Sequence, residues 1–366
     1  MSFYDVIEKY KEFNFEEAFR NFSSKDVERA LKKSSLNEMD LLALLSPAAV
    51  PYLERMAQIC HESALRHFGR YVLLYTPLYI ANHCNNHCTY CSFNMTNHIE
   101  RIQLSMEEIE EEAKSIHEEG IRHIVLLTGE DSRKTPISYI EEATKLLKKY
   151  FDSIALEVYP LDEDEYRRMY EAGADSLTIY QETYDEECYK KVHPKGPKRN
   201  YKYRLDAPER GAKAGMRNIN ISALLGLHPW RSEAFFTALH GRYIQKNYRE
   251  VDIAFSIPRI RPYIGAKQDI YKVSDRDIVQ AILAYRIFMP QANITVSTRE
   301  NEEFRRNLLP LGVNKMSAGS KTTVGGRSEE HDATQFEISD ERSVEEVRQD
   351  LLKTGYQPIY KDWMRF

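Results

Sequence analysis

Three of the five cysteines fall within eight residues, in Cys84-Asn-Asn-His-Cys88-Thr-Tyr-Cys91. Three thiolates at this spacing, on a loop leaving the apolar run 71–80, can hold three irons of a [4Fe–4S] cube. The fourth iron is then left without a protein ligand. Electron-transfer clusters are closed by four cysteines, so the missing fourth marks an iron open to a substrate or cofactor. Two plainer readings compete. A structural zinc wants four closed ligands, and His83 or His87 could be the fourth, although His87 sits beside Cys88 inside the loop, where a tetrahedral wrap is awkward. A disulfide leaves one member of the triplet over, and nothing marks the chain as secreted.

Length and composition narrow the setting. A chain of 366 residues accommodates an α/β barrel of about 250 residues with flanking helices. The formal net charge is −5, from 51 basic and 56 acidic residues, which implies no nucleic-acid partner. No run approaches the ~18 apolar residues of a membrane span, and Met1-Ser-Phe-Tyr-Asp5 has no apolar signal core. Few cysteines, three of them clustered, suit a reducing cytoplasm. The 24 tyrosines scatter along the chain as packing residues.

The elements that must position the cysteines read as follows. Residues 1–70 form a helical extension: Ser24 caps a helix through Leu31, and Ser46-Pro47 starts another near Val50–His67. That helix puts Leu53, Met56, Cys60 and Ala64 on one face, making Cys60 a core residue. From Tyr71 strands alternate with helices. Strand runs occur at 72–75, 123–127, 153–158, 176–180, 218–223, 252–257, 293–296 and 312–316. Ser105-Met-Glu-Glu108 is a capping box, followed by Ile109, Ala113 and Ile116, with Gly120 as a stop. Ile140, Ala143 and Leu147 face the core on the next helix. Eight β-α steps predict a (β/α)₈ barrel of the TIM type over 71–326. A short tail, 327–366, ends in a helix near Val344–Leu352 and packs on the barrel.

Barrel chemistry gathers at the C-terminal ends of the strands. There stand Tyr79, Glu130, Glu157, Gln181, Glu182, His228, Arg259, Arg261, Ser297, Arg299 and Ser317, each of which taken singly is an ordinary surface or ion-pair residue. His228 and His193 read as hydrogen-bonded loop histidines before acid–base groups. Tyr90, an aromatic just before the last cysteine, makes the triplet CxxxCxΦC, which resembles the cluster loop of radical S-adenosylmethionine (SAM) enzymes. SAM is a zwitterion with a sulfonium. Glu130 and Glu157 suit its ammonium or ribose hydroxyls, and the Arg204 fork suits its carboxylate. Arg299, flanked by Ser297 and Ser317, suits the carboxylate of an amino-acid substrate.

Nearly the whole chain resembles the 2-iminoacetate synthases, tyrosine lyases of thiamine thiazole biosynthesis. The likeness runs through Leu45-Ser-Pro-Ala-Ala49, Pro77-Leu-Tyr-Ile-Ala-Asn82, the cysteine loop, Leu127-Thr-Gly-Glu130, Glu157-Val-Tyr-Pro-Leu161 and Tyr180-Gln-Glu-Thr-Tyr184. It continues in Ala223-Leu-Leu-Gly-Leu227, Trp230-Arg231, Pro258-Arg-Ile-Arg-Pro262, Ser297-Thr-Arg-Glu300, Met316-Ser-Ala-Gly-Ser-Lys-Thr322 and Lys361-Asp-Trp363. Two departures are Ser92, where the family more often has Gly, and Arg327, where an aromatic is common.

The resemblance implies a [4Fe–4S] cluster on Cys84, Cys88 and Cys91, with Tyr90 against the adenine. It implies a SAM shell of Glu130, Glu157, Gln181, Glu182 and Arg204, and an amino-acid site of Arg299, Ser317 and Tyr79. The implied reaction splits SAM, takes a hydrogen from the amino group of L-tyrosine, and breaks Cα–Cβ to give 2-iminoacetate and p-cresol. Flavodoxin or ferredoxin is the implied electron donor. The lability of the imine implies a complex with thiazole synthase. The competing relatives are a tryptophan lyase and the tyrosine lyase of hydrogenase maturation, which needs further C-terminal cysteines; here none follows Cys188. From other classes, an iron–sulfur electron carrier would cleave no SAM, and a zinc-stapled binding protein would be colourless.

Overall fold

The computed structural model describes residues 2–264, 270–327 and 333–361. Asp362 and Trp363 of the last family match lie outside these. Eight parallel strands close a barrel: β1 (Tyr71–Ala81), β2 (His123–Thr128), β3 (Ser153–Glu157), β4 (Ser176–Glu182), β5 (Asn218–Ala223), β6 (Asp252–Ser256), β7 (Asn293–Val296) and β8 (Lys315–Ser317). Each neighbours the next, and β1 pairs with both β2 and β8, so the ring has no free edge. The strands are buried nearly throughout, as parallel strands covered on both faces must be, β2 and β3 mostly apolar and β5 alternating Asn218, Asn220 and Ser222 with apolar residues. Helices Met106–Glu118 and Ile137–Leu147 bury Ile109, Ala113 and Ile116, and Ile140, Ala143 and Leu147, against the sheet.

The expected (β/α)₈ barrel is present, with local differences. β1 runs six residues past the expected end at Tyr75, through Pro77. β8 begins at Lys315 because Gly312, at φ 104, ends a 3-10 turn first. Ser23, with Asp26 answering it in a capping box, starts the helix Ser24–Leu31 in place of Ser24. Pro51, which has no N–H to give, holds Pro47–Tyr52 in a 3-10 turn, and the α-helix begins only at Leu53. The Ser46 hydroxyl turns back to donate to the Ala43 carbonyl at 2.7 Å. Cys60 is fully buried.

The helix Val344–Lys353 is followed by a ninth strand, β9 (Gln357–Ile359), absent from the sequence reading. Leu73 of β1 pairs with Lys315 of β8 on one side and with Ile359 of β9 on the other. β9 therefore sits on the same edge as β2, below the point where β2 pairing begins at Thr76. Arg327, the second departure, donates to Thr76 Oγ1 at 3.1 Å and to the Gly319 carbonyl at 2.6 Å, tying the post-β8 loop to β1.

One buried residue fixes the end of β8 to the tail. Arg305 is fully buried and donates to the Ser317 carbonyl and to the Asp340 carboxylate, which Arg342 also holds at 2.6 Å. Arg305→Leu strands a buried carboxylate with one partner fewer and is expected to cost about 3 kcal/mol. A urea midpoint unchanged from the parent would contradict that.

Candidate active site

Two cavities stack along the barrel axis. The outer one, about 960 Å³ including its open mouth, is lined by residues that follow the strands, among them Cys84, Cys88, Cys91, Tyr90, Glu130, Glu182, Lys198, Arg204 and Arg261. The inner one, about 540 Å³, is lined by mid-strand residues such as Tyr75, Val125, Thr178 and Asn220, together with Tyr79, Ser297 and Ser317. Leu127, Glu157, Tyr180, Arg299, Gln335 and Phe336 line both. The two cavities adjoin through this shared wall.

The cysteine loop is seated by close backbone approach. A Cβ on Gly129 would lie 2.2 Å from the His83 carbonyl oxygen, and one on Gly196, at φ 101, would lie 2.4 Å from Asn86 Oδ1. Only glycine fits at either place. All three thiols line the outer cavity, whereas neither His83 nor His87 does. No group of three or more His, Cys, Asp or Glu able to hold a single metal ion occurs among the described residues. Three thiols on one cavity wall, with both loop histidines outside it, suit a cube held at three corners better than a zinc completed by a loop histidine. Burial pushes the thiols up, Cys91 to about 11, so ligation must displace protons. Ser92 accepts from the Ile264 N–H at 3.0 Å and fastens the loop after β6 to the cysteine loop.

Beside the thiols lies a buried network of two carboxylates and two cations. Arg204 donates to Glu130 at 2.8 Å and to the Tyr180 carbonyl at 2.7 Å, and stands 3.7 Å from Glu182. Lys198 donates to Glu182 at 2.7 Å and lies 3.9 Å from Glu130. Asn86 donates to the second Glu130 oxygen at 2.7 Å. Burial raises the Glu182 carboxyl, but Lys198 and Arg204 outweigh it and hold the group below its ordinary value. Glu182 is also the one non-glycine residue at positive φ (71) among the described residues, a strained backbone of the kind that clusters at functional sites. The Arg204 fork, expected to meet a ligand carboxylate, is engaged by these protein acceptors.

Tyr90 is held from behind. Its hydroxyl lies 2.7 Å from His193 Nε2, while His193 Nδ1 lies 2.9 Å from the Tyr189 carbonyl. Since the carbonyl can only accept, Nδ1 carries the proton and Tyr90 donates to Nε2. Burial keeps His193 neutral.

At the shared wall the Arg299 guanidinium lies 3.4 Å over the Phe336 ring. Its backbone N–H donates to Ser297 Oγ at 3.4 Å, and Ser317 Oγ accepts from the Thr298 N–H at 3.0 Å. Tyr79 donates to Gln335 at 2.7 Å. Of the residues read from sequence, the outer cavity therefore gathers the three cysteines, Tyr90, Glu130, Glu182 and Arg204. Tyr79 and Ser317 reach the inner one, and Glu157 and Arg299 touch both. Gln181 lines neither: between Tyr180 and Glu182 on β4 it is buried, and both its amide atoms lack a partner among the described residues. His228 lines neither and meets Glu233 at 3.0 Å. Lys198, Asn86, Gln335 and Phe336 were not read from the sequence. Lys198 sits in an irregular basic stretch and Gln335–Phe336 in a polar tail, where no periodicity points inward.

Residues 78–235 match the family model for the radical SAM superfamily, and residues 256–357 match that for the biotin and thiamin synthesis associated domain. The chain is 40% identical over 340 residues to a 2-iminoacetate synthase from Escherichia coli K12, covering 92% of this chain and 90% of that protein. The same enzyme from Salmonella typhimurium is 39% identical over the same shares. Among solved structures, HydG from Carboxydothermus hydrogenoformans, described as an FeFe-hydrogenase maturase, superposes with a TM-score of 0.86 at 30% identity over 98% of this chain and 83% of its own.

Burial raises the Glu157 carboxyl to about 7, against the opposing pull of Arg299. A folded pKa above the unfolded one favours the protonated form, so this stability is full below the unfolded value and is lost as pH rises through about 7. In protein without cluster or SAM, Glu157→Gln is therefore expected to match the parent near about pH 4 and to exceed it by about 1–2 kcal/mol near about pH 8. The figure is discounted because the group faces a cavity. Urea titrations giving the same difference at both pH values would contradict it.

Proposed function

The chain belongs to the 2-iminoacetate synthase family of radical SAM proteins, and we propose that it cleaves the Cα–Cβ bond of L-tyrosine. The products are 2-iminoacetate and p-cresol, with SAM converted to 5′-deoxyadenosine and methionine, and the imine supplies the thiazole of thiamine. The observation that carries this reading is the pair of stacked cavities with the thiols in the outer one and Arg299 in the wall between them. When bound, the [4Fe–4S] cluster and SAM supply the 5′-deoxyadenosyl radical that abstracts hydrogen from the tyrosine amino group.

The polypeptide's part is to hold two reactants at reacting distance and keep water away. Cys84, Cys88 and Cys91 hold the cluster, and Tyr90, steadied by His193, supports the adenine. Glu130, Glu182, Lys198 and Arg204 present two negative and two positive groups to the zwitterionic end of SAM. Arg299, its plane set by Phe336, takes the tyrosine carboxylate beside Ser317 and Tyr79. Leu127, Val125 and Phe336 give the inner cavity apolar wall, which suits an aromatic side chain and delays hydrolysis of the imine. The barrel, 71–326, carries most of this chemistry, the tail adding Gln335 and Phe336 to the cavity walls. No helix among the described residues is long and apolar enough to cross a membrane. A reducing cytoplasm, a flavodoxin or ferredoxin donor and a thiazole synthase acceptor complete the proposal.

Anaerobic reconstitution with iron, sulfide, SAM, dithionite and tyrosine is expected to yield deoxyadenosine, p-cresol and glyoxylate, the hydrolysis product of the imine. Deoxyadenosine without p-cresol, or turnover of tryptophan in place of tyrosine, would sink the assignment. Arg299→Lys keeps the charge and loses the fork. It is expected to lower kcat/KM on the order of tenfold or more, about 1.4 kcal/mol; parental turnover in that variant would remove Arg299 from the substrate site.

A further inference from the structure

Between Lys190 and Arg199 the chain carries Lys190, Lys191, Lys195, Lys198 and Arg199 and no carboxylate, in a protein of formal net charge −5. Lys198 turns inward to Glu182, and Lys190 pairs with Glu186 and Glu187. Lys191, Lys195 and Arg199 stay exposed and form no ion pair within 4 Å among the described residues, although Lys191 acts on Glu187 and Arg199 donates to the Pro194 carbonyl at 3.2 Å. Like charges left together repel, so the three exposed cations gain nothing from one another.

This segment lies directly on the cysteine loop. The His87 N–H donates to the Lys195 carbonyl and the Thr89 N–H to the Val192 carbonyl, both at 3.1 Å, and the Lys198 N–H donates to Asn86 Oδ1 at 2.8 Å. From the other side exposed Arg133 reaches Asn85 Oδ1 at 3.4 Å while its Nε stands 3.6 Å from Asp131. Met95, 55% exposed, donates its N–H to the Asn86 carbonyl at 2.9 Å. The tip Asn85–His87 is thus collared by cations with an exposed apolar side chain among them. Cys84 and Cys91 are only partly buried behind it.

We propose that this collar is the docking surface for a small acidic one-electron carrier protein. The inference rests on the cluster assignment above. One electron leaves the carrier's reduced flavin or iron–sulfur centre and enters the cluster across the thin cysteine loop, with no proton or ligand in transit. Opposite charge steers and orients the encounter, and Met95 supplies the apolar contact that holds it.

The test uses the reconstituted full chain with an acidic flavodoxin, its reductase and NADPH, against dithionite as a reductant that needs no docking. The triple variant Lys191→Glu, Lys195→Glu, Arg199→Glu is expected to raise the Kd for flavodoxin at low salt on the order of tenfold or more. Flavodoxin-driven deoxyadenosine formation falls with it, while SAM affinity and the dithionite-driven rate stay at the parent's values. Rising salt weakens flavodoxin binding by the parent and barely changes it in the variant. An unchanged flavodoxin Kd overturns the proposal. So does an equal loss from Lys25→Glu on the N-terminal helices, or an oligonucleotide that binds as tightly as flavodoxin. Loss of the dithionite-driven rate in the triple variant places the segment in the SAM site and also overturns it. Failure of the parent to take up a cluster would instead sink the functional reading beneath it.

Discussion

Two carboxylates and two cations kept from water at one place are tolerable only because each neutralises the others. Glu130 leaves β2, Glu182 ends β4, Lys198 sits in the loop against the cysteines, and Arg204 lies on the helix Tyr201–Leu205. None comes from the same element. Their mutual attraction pins four segments whose connecting backbone is irregular. A buried ion pair is weak evidence of net stability, but losing one partner leaves an uncompensated charge and is costly. The quartet therefore enforces geometry. It also gives the outer cavity charges of both signs in fixed positions, so that a doubly charged ligand end meets dipoles already oriented.

Strain and close approach do the rest. Glu182 accepts a left-handed backbone at the last residue of β4, where the β4–β5 register also shifts, and this aims its carboxylate into the cavity beside Tyr180. Gly129 and Gly196 let the cysteine loop press against two other loops at distances a side chain would forbid. The cysteines are held by neighbours built on strands β2 and β4, so the loop's position is inherited from the barrel.

The barrel was legible because eight apolar or β-rich runs recur, with helical patterns between several of them. The cysteine triplet was legible because its ligands are local in sequence. Lys198 was hidden: a lysine among exposed cations looks like solvated surface, and only the approach at Gly196 turns it inward. β9 was hidden too, being three residues with Pro358 at the centre and no alternation. Gln181 stands apart: family likeness nominated it along with its neighbours, whereas in the structure it lines neither cavity and lies at the register shift of β4.

The double engagement of β1, with β8 on one edge and β9 beneath β2 on the other, bears on how the molecule comes into being. On the ribosome, β1 emerges more than two hundred residues before either partner. Until 315–317 and 357–359 have been made, one of its edges has nothing to bond and the cylinder stays open. Such late, long-range pairing predisposes a nascent chain to slow maturation and to capture by other unpaired strands.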